Sequence, residues 1–186
     1  VADAASAADV VRSWTAAGKP WRVMGGGSNL LVADSGIPES VLRIAAEAPD
    51  CRWTSDGTLE ASAASPLDAV AAFAAESGRG GMGFAAGIPG TVGGGRCGNA
   101  GAFGRQLGDV LDRVEILTRT GELCQLPRRA VAFGYRSSTL PQLGAVVVRA
   151  WFRTEAGDRA ALQAEREQTL VLRREKHPDW RVEPTA

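Results

Sequence analysis

Gly25-Gly26-Gly27-Ser28-Asn29-Leu30-Leu31 follows the short apolar run Trp21-Arg22-Val23-Met24. Three consecutive glycines after a predicted strand are costly, because glycine loses more backbone freedom on folding than any other residue. Something must come so close to this backbone that no side chain is tolerated. A second glycine-rich stretch runs Gly87-Ile88-Pro89-Gly90-Thr91-Val92-Gly93-Gly94-Gly95 and continues as Gly98-Asn99-Ala100-Gly101-Ala102-Phe103-Gly104. Bare glycines let backbone N–H groups converge on an anion. Ser28, Asn29, Thr91 and Asn99 add side-chain donors. A pyrophosphate is the natural guest of two such loops facing each other. The competing reading is that the glycines only form tight turns and close backbone packing.

Glycine is 23 of 186 residues, about 12% against a usual ~7%, and the excess is clustered. The common nucleotide fingerprints do not fit these clusters. There is no G-x-x-x-x-G-K-[ST] and no strand–GxGxxG–helix unit with an acidic residue about twenty positions on. A phosphate site here is of another kind. Lys+Arg and Asp+Glu are each 21, so the formal charge is zero. No basic stripe argues for nucleic acid. Cys51, Cys97 and Cys124 are scattered, with no CxxC pair, which suits a reducing compartment better than a disulfide framework or zinc site. No apolar run approaches the ~18 residues of a membrane span, and no signal peptide is seen. A soluble cytoplasmic protein is expected.

The pattern outside the glycine loops predicts helices and strands in mixed order. Residues 6–17 read as a helix, with Ser6 as N-cap and Val10, Val11 and Trp14 on one face. Residues 21–24 and 40–46 read as strands, and 51–64 as a hairpin turning at Ser55-Asp56-Gly57. Pro66 to Ser77 reads as a helix capped by Ser65. Gly80 to Gly104 has almost no helix or strand pattern, and a loop this long in a compact domain is usually functional. Strands follow at 110–120, 122–127 and 145–154. A long helix then begins after Asp158, carries Leu162, Glu165, Thr169 and Leu172, and ends at His177-Pro178. This order indicates an α+β fold in two lobes, residues 1–104 and 105–186, with the glycine loop at the seam.

Taken together, "GGGSNLL", "GIPGTVGG", "NAGAFG" and "FGYRSS" occur in the order and spacing that resembles the UDP-N-acetylenolpyruvoylglucosamine reductase family. The similarity runs from about Trp21 to about Pro178. It implies a two-lobed FAD-binding domain of the vanillyl-alcohol oxidase type. It also implies a cytoplasmic, NADPH-driven flavoprotein oxidoreductase of peptidoglycan and cell-wall synthesis, expected as a monomer, acting on a UDP-sugar. By that resemblance Gly25, Gly26, Gly27, Ser28, Asn29 and Leu30 wrap the FAD pyrophosphate. Gly87, Ile88, Pro89, Gly90, Thr91, Gly93 and Gly94 hold it from the other side. Asn99, Ala100, Gly101 and Gly104 pass near the isoalloxazine.

Phe133-Gly134-Tyr135-Arg136-Ser137-Ser138 resembles the family's Y-R-x-S segment. The resemblance implies that Arg136 binds the substrate carboxylate and stabilises the enolate formed when hydride adds to the enolpyruvyl double bond, with Tyr135 beside it. A guanidinium suits that role, being always charged and able to fork onto a carboxylate. The family's proton-donating serine falls beyond Ala186, and its third lobe and first strand have no counterpart. The expectation is therefore a chain that binds flavin but turns over poorly. Arg96 and Cys97 stand where the family has apolar residues. Cys97 is expected to be a small buried filler rather than a thioether link to flavin. His177 reads as part of a helix terminus. A flavin-binding relative with another oxidation or a non-catalytic role is the alternative.

Overall fold

The computed structural model describes residues 1, 3–46 and 48–176. Its first helix, α1 (Ala4–Ala16), starts one turn earlier than the sequence pattern predicts. The cap is Asp3, whose carboxylate accepts the Ser6 N–H at 2.8 Å. A carboxylate outperforms a hydroxyl there because it also meets the positive end of the helix. Ala7, Ala8 and Val11 are the residues α1 buries. Gly18 (φ 62) ends it, and the chain enters β1 (Trp21–Met24), which pairs in parallel with β2 (Ser40–Arg43). Trp21, Leu42 and Ile44 join α1 in a small core with Ala64, Leu117, Val146 and Val148.

The main body is an antiparallel sheet. It takes β3 (Cys51–Trp53) and β4 (Leu59–Ser62) from the predicted hairpin, closed where the Asp56 carboxylate accepts from Thr58. Helix α2 (Leu67–Glu76) follows. The predicted cap, Ser65, does not cap it. Its hydroxyl instead exchanges hydrogen bonds with the Asp50 backbone, and Pro66 is the cap residue with no side-chain bond.

Between α2 and the next long strand the prediction of an unpatterned loop is corrected. The segment contains β5 (Arg79–Gly80), α3 (Val92–Cys97), the two-residue pair β6 (Gly101–Ala102) and β7 (Arg105–Gln106), and the single turn α4 (Leu107–Val110). Helix α3 escapes sequence reading because Val-Gly-Gly-Gly-Arg-Cys has almost no helix propensity. Tertiary packing sustains it: a Cβ on Gly93 would lie 2.9 Å from that of Ala63, and one on Gly95 2.7 Å from Leu67.

The later strands are β8 (Leu111–Leu117), β9 (Leu123–Pro127), the pair β10 (Phe133–Gly134) and β11 (Ser137–Ser138), β12 (Val146–Phe152) and β13 (Glu155–Ala156). The five-stranded sheet has the order β3-β4-β12-β8-β9. It thus joins strands from both sides of residue 104, with Ala150 of β12 opposite Ala61 of β4. Buried Glu60 holds this join: Arg149, Arg52 (2.7 Å) and the Trp151 indole N–H (3.0 Å) all reach its carboxylate. Helix α5 (Arg159–Lys176) starts as predicted, with Asp158 accepting the Ala161 N–H at 2.9 Å. Only some of the residues named along it face inward. Leu162 packs on Gly80 and Thr169 is buried, but Leu172 is exposed. The predicted helix stop at His177-Pro178 lies outside the described residues.

Candidate functional site

The two glycine segments meet. Gly25 lies against Thr91 and Gly94: a Cβ built on it would be 2.9 Å from Thr91 Oγ1 and 3.2 Å from Gly94 Cα. Gly26 faces Gly90, whose Cα would be 3.4 Å from its Cβ. The Ser28 hydroxyl donates to the Pro89 carbonyl at 3.2 Å. So the first answer to why Gly25 has no side chain is the other segment. A Cβ on Gly90 would in turn lie 2.8 Å from Ser28 Oγ, so the segments touch at several points. Among the described residues, no backbone or side-chain acceptor takes the amides of Gly26, Gly27, Ser28, Asn29, Gly90 or Thr91. Gly27 (φ 79) and Gly90 (φ 114) adopt backbone angles unfavourable to other residues. The result is a paired turn with six N–H groups that have no acceptor among the described residues, and such unpaired amides can accept an anion. Not all of the second segment is free in this way. The Gly87 amide donates to Asp68 Oδ1 (3.0 Å), Ile88 to Ala85, and Gly93 to Ala63.

Beyond α3 the chain is knotted to the arginine-bearing turn. The buried Asn99 side chain donates to the Gly134 carbonyl (2.9 Å) and to Gln106 Oε1 (2.8 Å), and accepts the Gly108 N–H (2.9 Å). The Ser138 hydroxyl donates to the Cys97 carbonyl at 2.9 Å. Gly101 is fixed by its partner strand, since a Cβ there would run into the Arg105 carbonyl oxygen. Between β10 and β11, Tyr135 is 89% exposed and Arg136 is exposed with φ 53. The Arg136 guanidinium lies 5.9 Å from the Tyr135 ring centroid. Leu30, Leu31 and Val32 after the first segment, and Phe103 and Gly104 in the second, are likewise exposed.

Arg173 of α5 belongs to this region, and no signal in the sequence marked it beyond a basic helix end. Its Cδ lies against Gly87, its guanidinium is 5.7 Å from the Phe103 ring, and Nε and Nη2 are buried without a hydrogen-bond partner among the described residues. Burial pushes its pKa down, nearby Arg136 adds to this, and Asp68 opposes it. The region is therefore cationic at one end and neutral, amide-lined at the other. Arg96, which stands where the family has apolar residues, is itself a core residue here. It is fully buried on α3, its Nη1 donates to the Leu107 carbonyl (2.8 Å), and its guanidinium stacks on Phe152 at 4.5 Å. Burial chiefly, and Arg128 in addition, push its pKa down to about 9. Cys97 is partly buried against the core, and burial raises its thiol pKa.

The profile of the FAD binding domain family matches residues 1–127. The UDP-N-acetylenolpyruvoylglucosamine reductase of Heliobacterium modesticaldum is 37% identical over 95% of this chain and 56% of its own length. The enzyme of the same name from Anaeromyxobacter is 39% identical over 95% of this chain and 53% of its own. This chain thus spans about half the length of the curated relatives it matches. Among solved structures, the UDP-N-acetylenolpyruvylglucosamine reductase of Thermus caldophilus superposes with a TM-score of 0.75 at 32% identity, covering 86% of this chain and 57% of that one. A glucooligosaccharide oxidase of Acremonium strictum has a TM-score of 0.59 at 15% identity over 84% of this chain and 34% of that one, a likeness of fold alone.

Proposed function

Because the chain belongs to the FAD binding domain family, we propose that its two apposed glycine segments hold the FAD diphosphate and that it is the flavin core of a UDP-N-acetylenolpyruvoylglucosamine reductase. The observation that carries this is the pairing of Gly25–Asn29 with Gly90–Thr91 around amides that have no acceptor among the described residues. The fit to a diphosphate is chemical. Six backbone N–H groups offer partial positive charge without a lysine beside the redox ring. Gly25, Gly26, Gly27, Ser28, Asn29 and Leu30 form one wall. Gly90, Thr91 and Gly94 form the other, with Ile88, Pro89 and Gly93 supporting their backbone. Bound flavin supplies the hydride-transfer chemistry, with NADPH as the donor in this reading.

The residues of the chain then do the rest. Exposed Arg136 takes the carboxylate of the enolpyruvyl group, and its fixed charge stabilises the negative charge that grows on the conjugated carbon. Tyr135 flanks it. Asn99, Ala100, Gly101 and Gly104 lie on the segment that carries the flavin ring beside this turn. Division into lobes at 104/105, a cytoplasmic location and a monomeric state belong to the same reading. No helix among the described residues is long and apolar enough to cross a membrane.

The test begins with the purified chain and added FAD. Visible flavin bands that survive gel filtration, with FAD identified by mass after extraction, are the expected outcome. A chain that stays colourless and leaves FAD fluorescence unchanged at micromolar concentrations refutes the proposal. A shift of the bound flavin's visible bands on adding the enolpyruvyl UDP-sugar then separates this reductase core from a flavin-binding relative with other chemistry.

A further inference from the structure

Asn99 is an unusual residue to find in full use. It is only 2% exposed, holds φ 46, and every polar group of its side chain is engaged. A left-handed backbone angle favours glycine, with asparagine the most tolerant alternative. Its neighbours Gly98 and Gly101 show that glycine is available in this segment. The side chain must therefore contribute something the backbone angle does not require. It ties together three pieces of chain: β7 through Gln106, α4 through the Gly108 amide, and β10 through the Gly134 carbonyl.

The third tie matters most, because the turn it reaches is weakly built. Strands β10 and β11 share two residue pairs, Phe133 with Ser138 and Gly134 with Ser137. A hairpin that short does not hold its own geometry in water. Ala132 and Thr139 continue the hairpin by one further pair, and Phe133 packs on Gly108 and under Arg128. Among the described residues, the turn's hydrogen bonds to the rest of the chain are the Asn99–Gly134 bond and Ser138 donating to the Cys97 carbonyl, and both lead into residues 97–99, next to the glycine segment. We infer that Asn99 is a positioning residue: its carboxamide sets the Tyr135–Arg136 turn against the 98–104 segment and so fixes the Arg136 guanidinium relative to whatever that segment holds. The functional half of this inference rests on the reading of Arg136 given above. The anchoring half does not.

Asn99→Asp keeps tolerance of the backbone angle and keeps an acceptor for the Gly108 amide, but removes both donors. Asn99→Gly keeps the angle and removes the whole side chain. Without cofactor, amide exchange across residues 133–139 is expected to rise at least tenfold in both variants. Trypsin cleavage after Arg136 should accelerate by a similar factor, while exchange in β8 and β12 stays as in the parent. Exchange and cleavage within twofold of the parent in both variants overturn the inference. Should either variant fail to fold, the other decides. The parent supplies a further check, since a freely exchanging Asn99 carboxamide in its NMR spectrum also overturns it.

The second arm uses chains saturated with FAD and reads the shift of the flavin visible bands on adding the enolpyruvyl UDP-sugar. Asn99→Asp is expected to raise the half-saturating concentration at least tenfold, but to add less than twofold once Arg136→Ala is present, because coupled residues are not additive. A full additional loss on the Arg136→Ala background means Asn99 acts by another route and overturns the functional half. A parent chain that binds no FAD, or shows no substrate shift, sinks the reductase reading and leaves the anchoring to the first arm.

Discussion

Gly25→Ala probes the contact on which the proposed cofactor site depends. The new Cβ would lie 2.9 Å from Thr91 Oγ1, 3.2 Å from Gly94 Cα and 3.4 Å from Gly94 N. Gly25 is outside the positive-φ set, so the added strain is steric only. Relief needs a shift of roughly half an ångström, and the neighbours resist it. Thr91 Oγ1 accepts the Gly94 N–H at the start of α3, and loss of such a cap costs about 1 kcal/mol. Moving Gly94 instead moves the α3 backbone, and with it the opposing wall of the site. Overpacking of this kind costs about 1–3 kcal/mol, offset by about 0.4–1 kcal/mol because alanine restricts the unfolded chain. At roughly 2–4 °C per kcal/mol for a chain of this size, the melting temperature should fall by several degrees. The larger effect is on the site: FAD affinity, followed by quenching of flavin fluorescence, should weaken at least tenfold because the walls have separated. Gly98→Ala is the control. Its Cβ meets nothing nearer than the Gly94 carbonyl oxygen at 3.9 Å, and both readings should stay near the parent's. A Gly25→Ala protein that melts and binds FAD like the parent would refute the claim that these two segments are rigidly apposed around the cofactor.

Two further outcomes follow from buried groups. Arg96→Met replaces a guanidinium whose Nε and Nη2 have no partner among the described residues with a shorter apolar chain. The gain from removing the desolvated cation is offset by leaving the buried Leu107 carbonyl without its donor, a loss of about 1–3 kcal/mol. Calorimetry should therefore show a melting temperature within about 5 °C of the parent's, roughly 1–2 kcal/mol at this size; a larger drop would mean the guanidinium stabilises the fold by more than that one bond. For the thiols, burial raises the Cys97 pKa above the ordinary 9.0, whereas Cys124 is exposed. Iodoacetamide at pH 8 should therefore alkylate Cys124 at least tenfold faster than Cys97, as read by peptide mass. The sign for stability follows from the unfolded thiol ionising first: the contribution is intact below pH 9.0 and lost as pH rises through the higher folded pKa. Cys97→Ala should flatten that alkaline decline.

The sequence carried the regular elements and the chemistry of the loops. Alternation in 111–117, the buried apolar run at 146–152, the Asp-Gly turn at 56–57 and the Asp158 cap are local signals, and they yield β8, β12, the β3–β4 hairpin and α5. The glycine segments were legible as loops that lie against one another, and the structure brings them together. Other features depended on contacts between distant residues. Helix α3 forms in a glycine run only because Ala63 and Leu67 pack against it. Ser65 gave up its expected cap for the Asp50 backbone. Arg173 reached the site because α5 packs over Gly87, and Asn99 turned inward because Gly134 and Gly108 offered partners. Local periodicity determines which segments are helix or strand, since it records which face each must bury. Which distant groups then meet is settled by close packing and by the need of every buried donor and acceptor for a partner, and neither is written in any short stretch of chain.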